Sequence, residues 1–165
     1  MPDAVAVSIA KAVVTHIQTA IDADDLSQEF ELERSYGDWD MELKQNEFTR
    51  VDVDLVTTKQ EAELATRAGK LAYTVPIDLC IRRRFGNDKQ DDEKQGRVYV
   101  AEVDGLMLLV EELHELFLQT SLTDPLASMW KEDPKILTAP VPRHLKDMKQ
   151  FVGIIRLTFV AYRAV

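Results

Sequence analysis

The chain has 165 residues, 45% of them hydrophobic, with twenty basic against twenty-nine acidic side chains and a formal net charge of −9. That length supplies one core and one domain, and the negative balance argues against a protein that grips nucleic acid by neutralising phosphates. No apolar run approaches the roughly 18 residues of a membrane span, Asp3 stands where a signal peptide would carry positive charge, and Cys80 is the sole cysteine. The expectation is a soluble protein of a reducing compartment, with no disulfide, no multi-cysteine zinc site and no membrane contact.

Residues 4–21 set Ile9, Val13, Ile17 and Ile21 on one stripe, with Ala6, Ala10, Val14 and Ala20 beside it. This period predicts an amphipathic helix, with Asp3 placed to cap its start. Phe30, Leu32, Arg34 and Tyr36 then alternate with Glu31, Glu33 and Ser35, a short strand closing at Gly37. Residues 38–47 read as an irregular or briefly helical connection. In 48–57, Val51, Val53 and Leu55 oppose Arg50, Asp52 and Asp54, a second strand. Segment 58–70, TKQEAELATRAGK, has helix-forming residues but a thin apolar stripe, and is too long for a tight turn. It is expected to be a surface helix or a segment ordered by a neighbour.

Residues 71–85 carry the strongest signal. Leu71, Tyr73, Val75, Ile77, Leu79, Ile81 and Phe85 occupy alternate positions, broken only by Arg83, against a mostly polar set of Thr74, Asp78, Cys80, Arg82 and Arg84. The pattern predicts a strand with one buried face and one face for water or a partner. Fifteen residues at ~3.3 Å each reach ~50 Å, beyond the ~40 Å diameter of a compact chain of this size. An end is therefore expected to project, leaving backbone groups free to pair with another subunit.

Residues 86–97, GNDKQDDEKQGR, read as a solvated loop. Residues 98–122 put Val103, Leu106, Met107, Val110, Leu113, Phe117 and Leu118 on one stripe, a second and longer helix. Pro125, Pro134, Pro140 and Pro142 break the next stretch into turns around a short apolar piece at 135–137. Residues 151–162, FVGIIRLTFVAY, are apolar on both faces except Arg156 and Thr158, as in a strand covered above and below.

The residues that usually carry chemistry do not assemble into a motif. His16, His114 and His144 lack partners at metal-ligand spacing, the cluster Glu111, Glu112, His114 and Glu115 reads as a solvated helix face, and no GxSxG, GxxxxGK[ST] or GxGxxG run occurs. Cys80 lies inside a strand, away from any helix N-terminus that would stabilise a thiolate. No catalytic residue, metal or cofactor is expected. Arg82, Arg83 and Arg84 alternate between faces and so form no flat phosphate site; Arg82 and Arg84 are expected to pair with acids of an adjacent strand or subunit.

The predicted fold is a single α+β domain, a mostly antiparallel sheet of four to five strands packed on two main helices, with a long protruding β-hairpin. The opening amphipathic helix, FELERSY, TRVDVDLVT, YTVPIDLCIRRRF, VDGLMLLVEELHELF and the closing PRHLKDMKQFVGIIRLTFVAYR together resemble the minor tail proteins of tailed bacteriophages, within them the tail terminator group. The resemblance rests on element order and pattern, from Ala4 to Arg163, and its most recognisable part is the basic loop at His144 and Lys146 that leads into the last strand. The loop at 86–97 has no fixed counterpart in that pattern.

The resemblance implies a virion protein, made in the host cytoplasm. It would form a hexameric ring on the finished tail tube, stop tube growth and offer the surface to which head-tail connector proteins attach. DNA would pass through the bore without specific binding. The hairpin residues Tyr73, Arg82 and Arg84 and the preceding Lys59, Glu61, Arg67 and Lys70 are the candidate contacts to neighbouring subunits and tube. Reversing Arg82 and Arg84 to Glu is expected to weaken the ring and leave the monomer folded. The alternatives are a head-closure or neck protein of the same machine and, from another class, a small α+β hydrolase or ligand-binding domain.

Overall fold

The computed structural model describes residues 3–36, 43, 48–56, 61–65, 69–85, 92–118, 129–147 and 149–164. Among them the chain runs α1 (Val5–Asp22), β1 (Glu31–Ser35), β2 (Arg50–Leu55), β3 (Glu61–Ala65), β4 (Lys70–Arg84), α2 (Asp92–Leu118), β5 (Met129–Thr138), α3 (Pro142–Asp147) and β6 (Gln150–Ala164). The α+β class holds, with six strands in place of four to five and a short third helix.

α1 forms where the apolar period places it, burying Ile9, Ala10, Val13 and Ile17. Its cap is not as expected. Ala4 is the N-cap and no side chain bonds the first turn, while Asp3 pairs with Lys11 at 2.6 Å. Asp24, in the left-handed region at φ 57°, turns the chain after the helix.

The strands run in the order β1-β2-β4-β6-β5, with β3 also paired to β4. β1 and β2 are parallel and every other pairing is antiparallel. The spine is the β4–β6 ladder, unbroken from Lys70↔Ala164 to Arg84↔Gln150. β2 and β3 line the same side of β4 in succession, Leu55 facing Ile77 and Glu61 facing Thr74. Pro76 falls between them, and its carbonyl accepts a hydrogen bond from the Val56 N–H. In an antiparallel strand a residue's N–H and C=O point the same way, so the donor that proline lacks would have faced this gap; the ladder to β6 loses nothing.

β3 corrects the reading of 58–70 as a surface helix or neighbour-ordered segment; residues 57–60 and 66–68 lie outside the described residues. Helix propensity in EAELA yields to the free edge of β4, which supplies ladder partners from Glu61↔Thr74 to Ala65↔Lys70. Gly69, at φ 64°, leads the chain into β4. α2 likewise begins inside the stretch expected to be a solvated loop; 86–91 are not described.

One face of the sheet carries the main core. Val51, Val53, Ile77, Leu79, Ile81, Ile155, Leu157 and Phe159 meet Ile9, Val13 and Ile17 of α1 and Leu106, Leu109, Val110, Leu113 and Phe117 of α2. His16 joins the helices, its ring edge-on to Phe117 with centroids 5.1 Å apart. Gly153 sets how closely α2 approaches: a Cβ there would lie 2.8 Å from Val110 Cγ2.

Candidate functional site

The opposite face of the sheet is where the sequence reading and the structure part most clearly. Asp78 and Cys80, read as part of a face for water or a partner, are buried, and so are Asp52 and Asp54 on β2. Alternation puts them on one side of β2 and β4, and register makes neighbours of Asp54 and Asp78, of Asp52 and Cys80, and of Asp78 and Arg156. Arg156 of β6 clamps Asp78 through two parallel bonds, Nε to Oδ1 at 2.8 Å and Nη2 to Oδ2 at 2.9 Å. Arg82 donates to Asp52, and Arg50 bridges Asp52 and Glu33. Cys80 also packs with Val152 and Ile154, joined by Val141, in a second apolar cluster.

The electrostatics follow from this burial. Burial pushes the Asp54 carboxyl above its ordinary value, and the charge of Asp52 adds to it, against a hydrogen bond from Cys80 and the Arg82 guanidinium. Burial, then Asp54, pushes the Cys80 thiol far up, so it stays protonated. Its bond to Asp78 raises Arg156. Asp54 Oδ1 is buried without a hydrogen-bond partner among the described residues. Among the described residues no group of three His, Cys, Asp or Glu side chains is placed to hold a metal ion. The face fastens strands together: Arg50, Arg82 and Arg156 pair with Glu33, Asp52 and Asp78 within the chain, while Asp54 takes a hydrogen bond from Cys80.

At the end where β4 finishes, Gln150 ties the polar face to the connection between β1 and β2. Its Oε1 accepts from the Leu43 N–H at 2.8 Å, its amide donates to Nδ1 of the buried His144, and Arg84 donates to the Leu43 carbonyl. The helix side at this same end carries a cleft of about 230 Å³ bounded by Phe85, Val100, Val103, Asp104, Leu145 and Lys149. A second recess of about 190 Å³ lies between the start of α1 and the β3–β4 pair, lined by Val5, Glu61, Ala62 and Tyr73 among others. The polar run on α2 is partly structural: Glu112 accepts from Ser27 N–H and Oγ, and His114 Nε2 donates to the Pro134 carbonyl at 2.8 Å.

The predicted contact residues separate into two groups. Glu61 and Lys70 are exposed on β3 and β4, and Tyr73 is half-buried against the main core. Arg82 and Arg84 lie at the far end of β4 and bond within the chain, as the expectation of an acidic neighbour on an adjacent strand had it for Arg82. Reversal of Arg82 would therefore set a glutamate against buried Asp52, so the double reversal does not leave the monomer untouched as expected. Lys59 and Arg67 lie outside the described residues. The features that sequence reasoning missed are exposed apolar side chains at the sheet's margins: Tyr36 and Phe48 flanking the β1–β2 pair, and Ile136 and Leu137 on β5. Each stood in the sequence as an apolar residue at the end of a short strand or in the apolar piece 135–137, where the pattern alone does not say that it is exposed.

No helix among the described residues is long and apolar enough to cross a membrane. The chain matches no model of a known protein family, and a search of curated proteins finds no match.

Proposed function

We propose that this chain is a structural subunit of a phage tail, a terminator that closes into a ring on the last layer of the tube and halts its growth. The reading rests on the resemblance in element order, and the observation that carries it furthest is the pair of sheet margins. β1 and β5 are the opposite edges of the sheet, and each margin bears exposed large apolar side chains. A head-to-tail ring needs two different sticky flanks on each subunit, whereas a two-fold dimer needs one. Exposed apolar residues are ordinary on protein surfaces, and those at the two margins are offered here as the side chains a subunit contact would cover. The acidic balance suits a ring through which DNA slides without sticking.

The test is the mass and shape of the full chain alone and with purified tail tubes, by light scattering after size exclusion and by negative-stain imaging. A closed ring, free or at tube ends, supports the terminator. Recovery of portal or adaptor protein in place of tube protein on co-purification assigns the chain to the neck. A monomer that ignores both overturns the reading.

A further inference from the structure

We infer that the outward face of α2 docks a basic amphipathic helix of another protein, one that sets leucines against Leu108 and Leu118 and lysines or arginines against Asp104, Glu111 and Glu115. This goes beyond the ring reading and does not depend on it. The inward side of α2, through Leu106, Leu113 and Phe117, is spent on the core. From Ala101 onward its exposed positions are Ala101, Asp104, Leu108, Glu111, Glu115 and Leu118, three and four residues apart. Any helix in water shows that spacing on its outer side; the composition is what singles this face out. Leu108 is 47% and Leu118 44% exposed, on the same stripe as three carboxylates, and between Val98 and Leu118 there is no lysine or arginine. A stripe of this spacing is the seam along which a second helix packs.

Charge selects the occupant. Glu111 and Glu115 stand four residues apart, a like-charge spacing that weakens a helix, and no ion pair joins either of them or Asp104 to a cation among the described residues. A second copy laid along this face cannot supply the missing cations. In parallel each acid meets its twin; in antiparallel overlap of the whole stripe Asp104 meets Glu115 and Leu108 meets Glu111. Both arrangements set carboxylate against carboxylate or against leucine, which excludes self-pairing of α2 and selects a partner of opposite charge. Lysine and arginine serve twice in such a partner, because their methylene stems cover apolar surface while the charged heads reach the carboxylates beside it.

The probe is a synthetic helical peptide with leucine and lysine on one stripe of this spacing and alanine and glutamine elsewhere, and its counterpart carries glutamate for lysine. Binding to the full chain is read by fluorescence anisotropy at low and high salt. Wild type should bind the lysine peptide, more weakly as salt rises, and leave the glutamate peptide free. Glu111→Lys with Glu115→Lys should weaken the lysine peptide about tenfold or more and gain the glutamate peptide. Leu108→Ser should weaken the lysine peptide with its salt dependence unchanged. Asp25→Lys with Glu29→Lys alters the net charge equally away from α2 and should leave binding as it was. All these positions are exposed, so far-UV circular dichroism should not change; Glu111→Gln with Glu115→Gln carries the same test should the reversal disturb the helix. A wild type that ignores the lysine peptide, or a Leu108→Ser chain that binds it as wild type does, overturns the docking face. So does a loss at Asp25 and Glu29 equal to that at Glu111 and Glu115, which would assign the attraction to the net charge of −9 alone.

Discussion

Replacing Arg156 by alanine measures what the polar face of the sheet is worth. The guanidinium makes both bonds to Asp78 at ordinary lengths, and the Asp78 side chain is only 7% exposed against 21% for Arg156. Removing one partner of such a pair strands a buried charge, at a cost of about 3–5 kcal/mol. The residue opposite Asp78 on β2 is Asp54, another carboxylate, so no cation stands ready to take over and the upper end is expected. For a domain of this length each kcal/mol moves the midpoint by about 2–4 °C, giving a drop of about 6–20 °C. The assay is urea and thermal unfolding followed by far-UV circular dichroism at a concentration where the chain is monomeric. Two companions frame the result. Lys11→Ala breaks a solvent-exposed pair and should cost about 1 kcal/mol or less. The joint replacement Asp78→Leu with Arg156→Met should recover most of the loss, because it removes both charges together. A cost for Arg156→Ala of about 1 kcal/mol or below would refute the view that this face is shielded from water, since that is the value of an exposed pair.

Two further outcomes follow from the geometry. Gly153→Ala drives a methyl group to 2.8 Å from Val110 Cγ2 and 3.2 Å from Phe151 Cε1, so the Val110 side chain or α2 must give way and unfolding should become easier by about 1–3 kcal/mol, read from urea midpoints; an unchanged midpoint would mean the helix does not rest on β6 there. Asp54→Asn tests the pH dependence. Burial raises the native pKa of Asp54 above its ordinary 3.8, so its favourable share of stability is complete below that value and is lost as pH rises through the native pKa. The amide cannot ionise, so the variant should be the more stable chain at neutral pH, with an advantage that shrinks on acidification and vanishes below pH 3.8; an advantage that grows toward acid would reverse the sign of the argument.

What could be read in advance divides along a physical line. α1, β4 and β6 were legible because their periods persist over many residues and leave one way to bury the apolar set. β3 was not, since EAELA has the composition of a helix and becomes a strand only when the edge of β4 is present. The start of α2 was hidden in the same manner, by charged residues that serve a loop or a solvated helical turn equally well. Alternation put Asp52 with Asp54 on β2 and Asp78 with Cys80 on β4, but it takes the β2–β4 register to join the two sets, and alternation cannot tell a wet face from a dry one. That depended on Arg156, more than seventy residues away, arriving opposite Asp78 through the register of β6. The candidate contacts at Arg82 and Arg84 shared this blindness, because a strand arginine looks the same in sequence whether its acid is in its own chain or a neighbour's.

The succession of β2 and β3 along a single side of β4, parted at Pro76, has an evolutionary and practical implication. A sheet edge shared in this manner behaves as two separate seams. Lengthening, shortening or retuning the outer seam alters β3 and its turn at Gly69 without passing a register error into the inner one, where a slip by one residue would exchange the apolar and charged faces. The inner seam, β2 on β4, can in this way be inherited intact while the outer one changes.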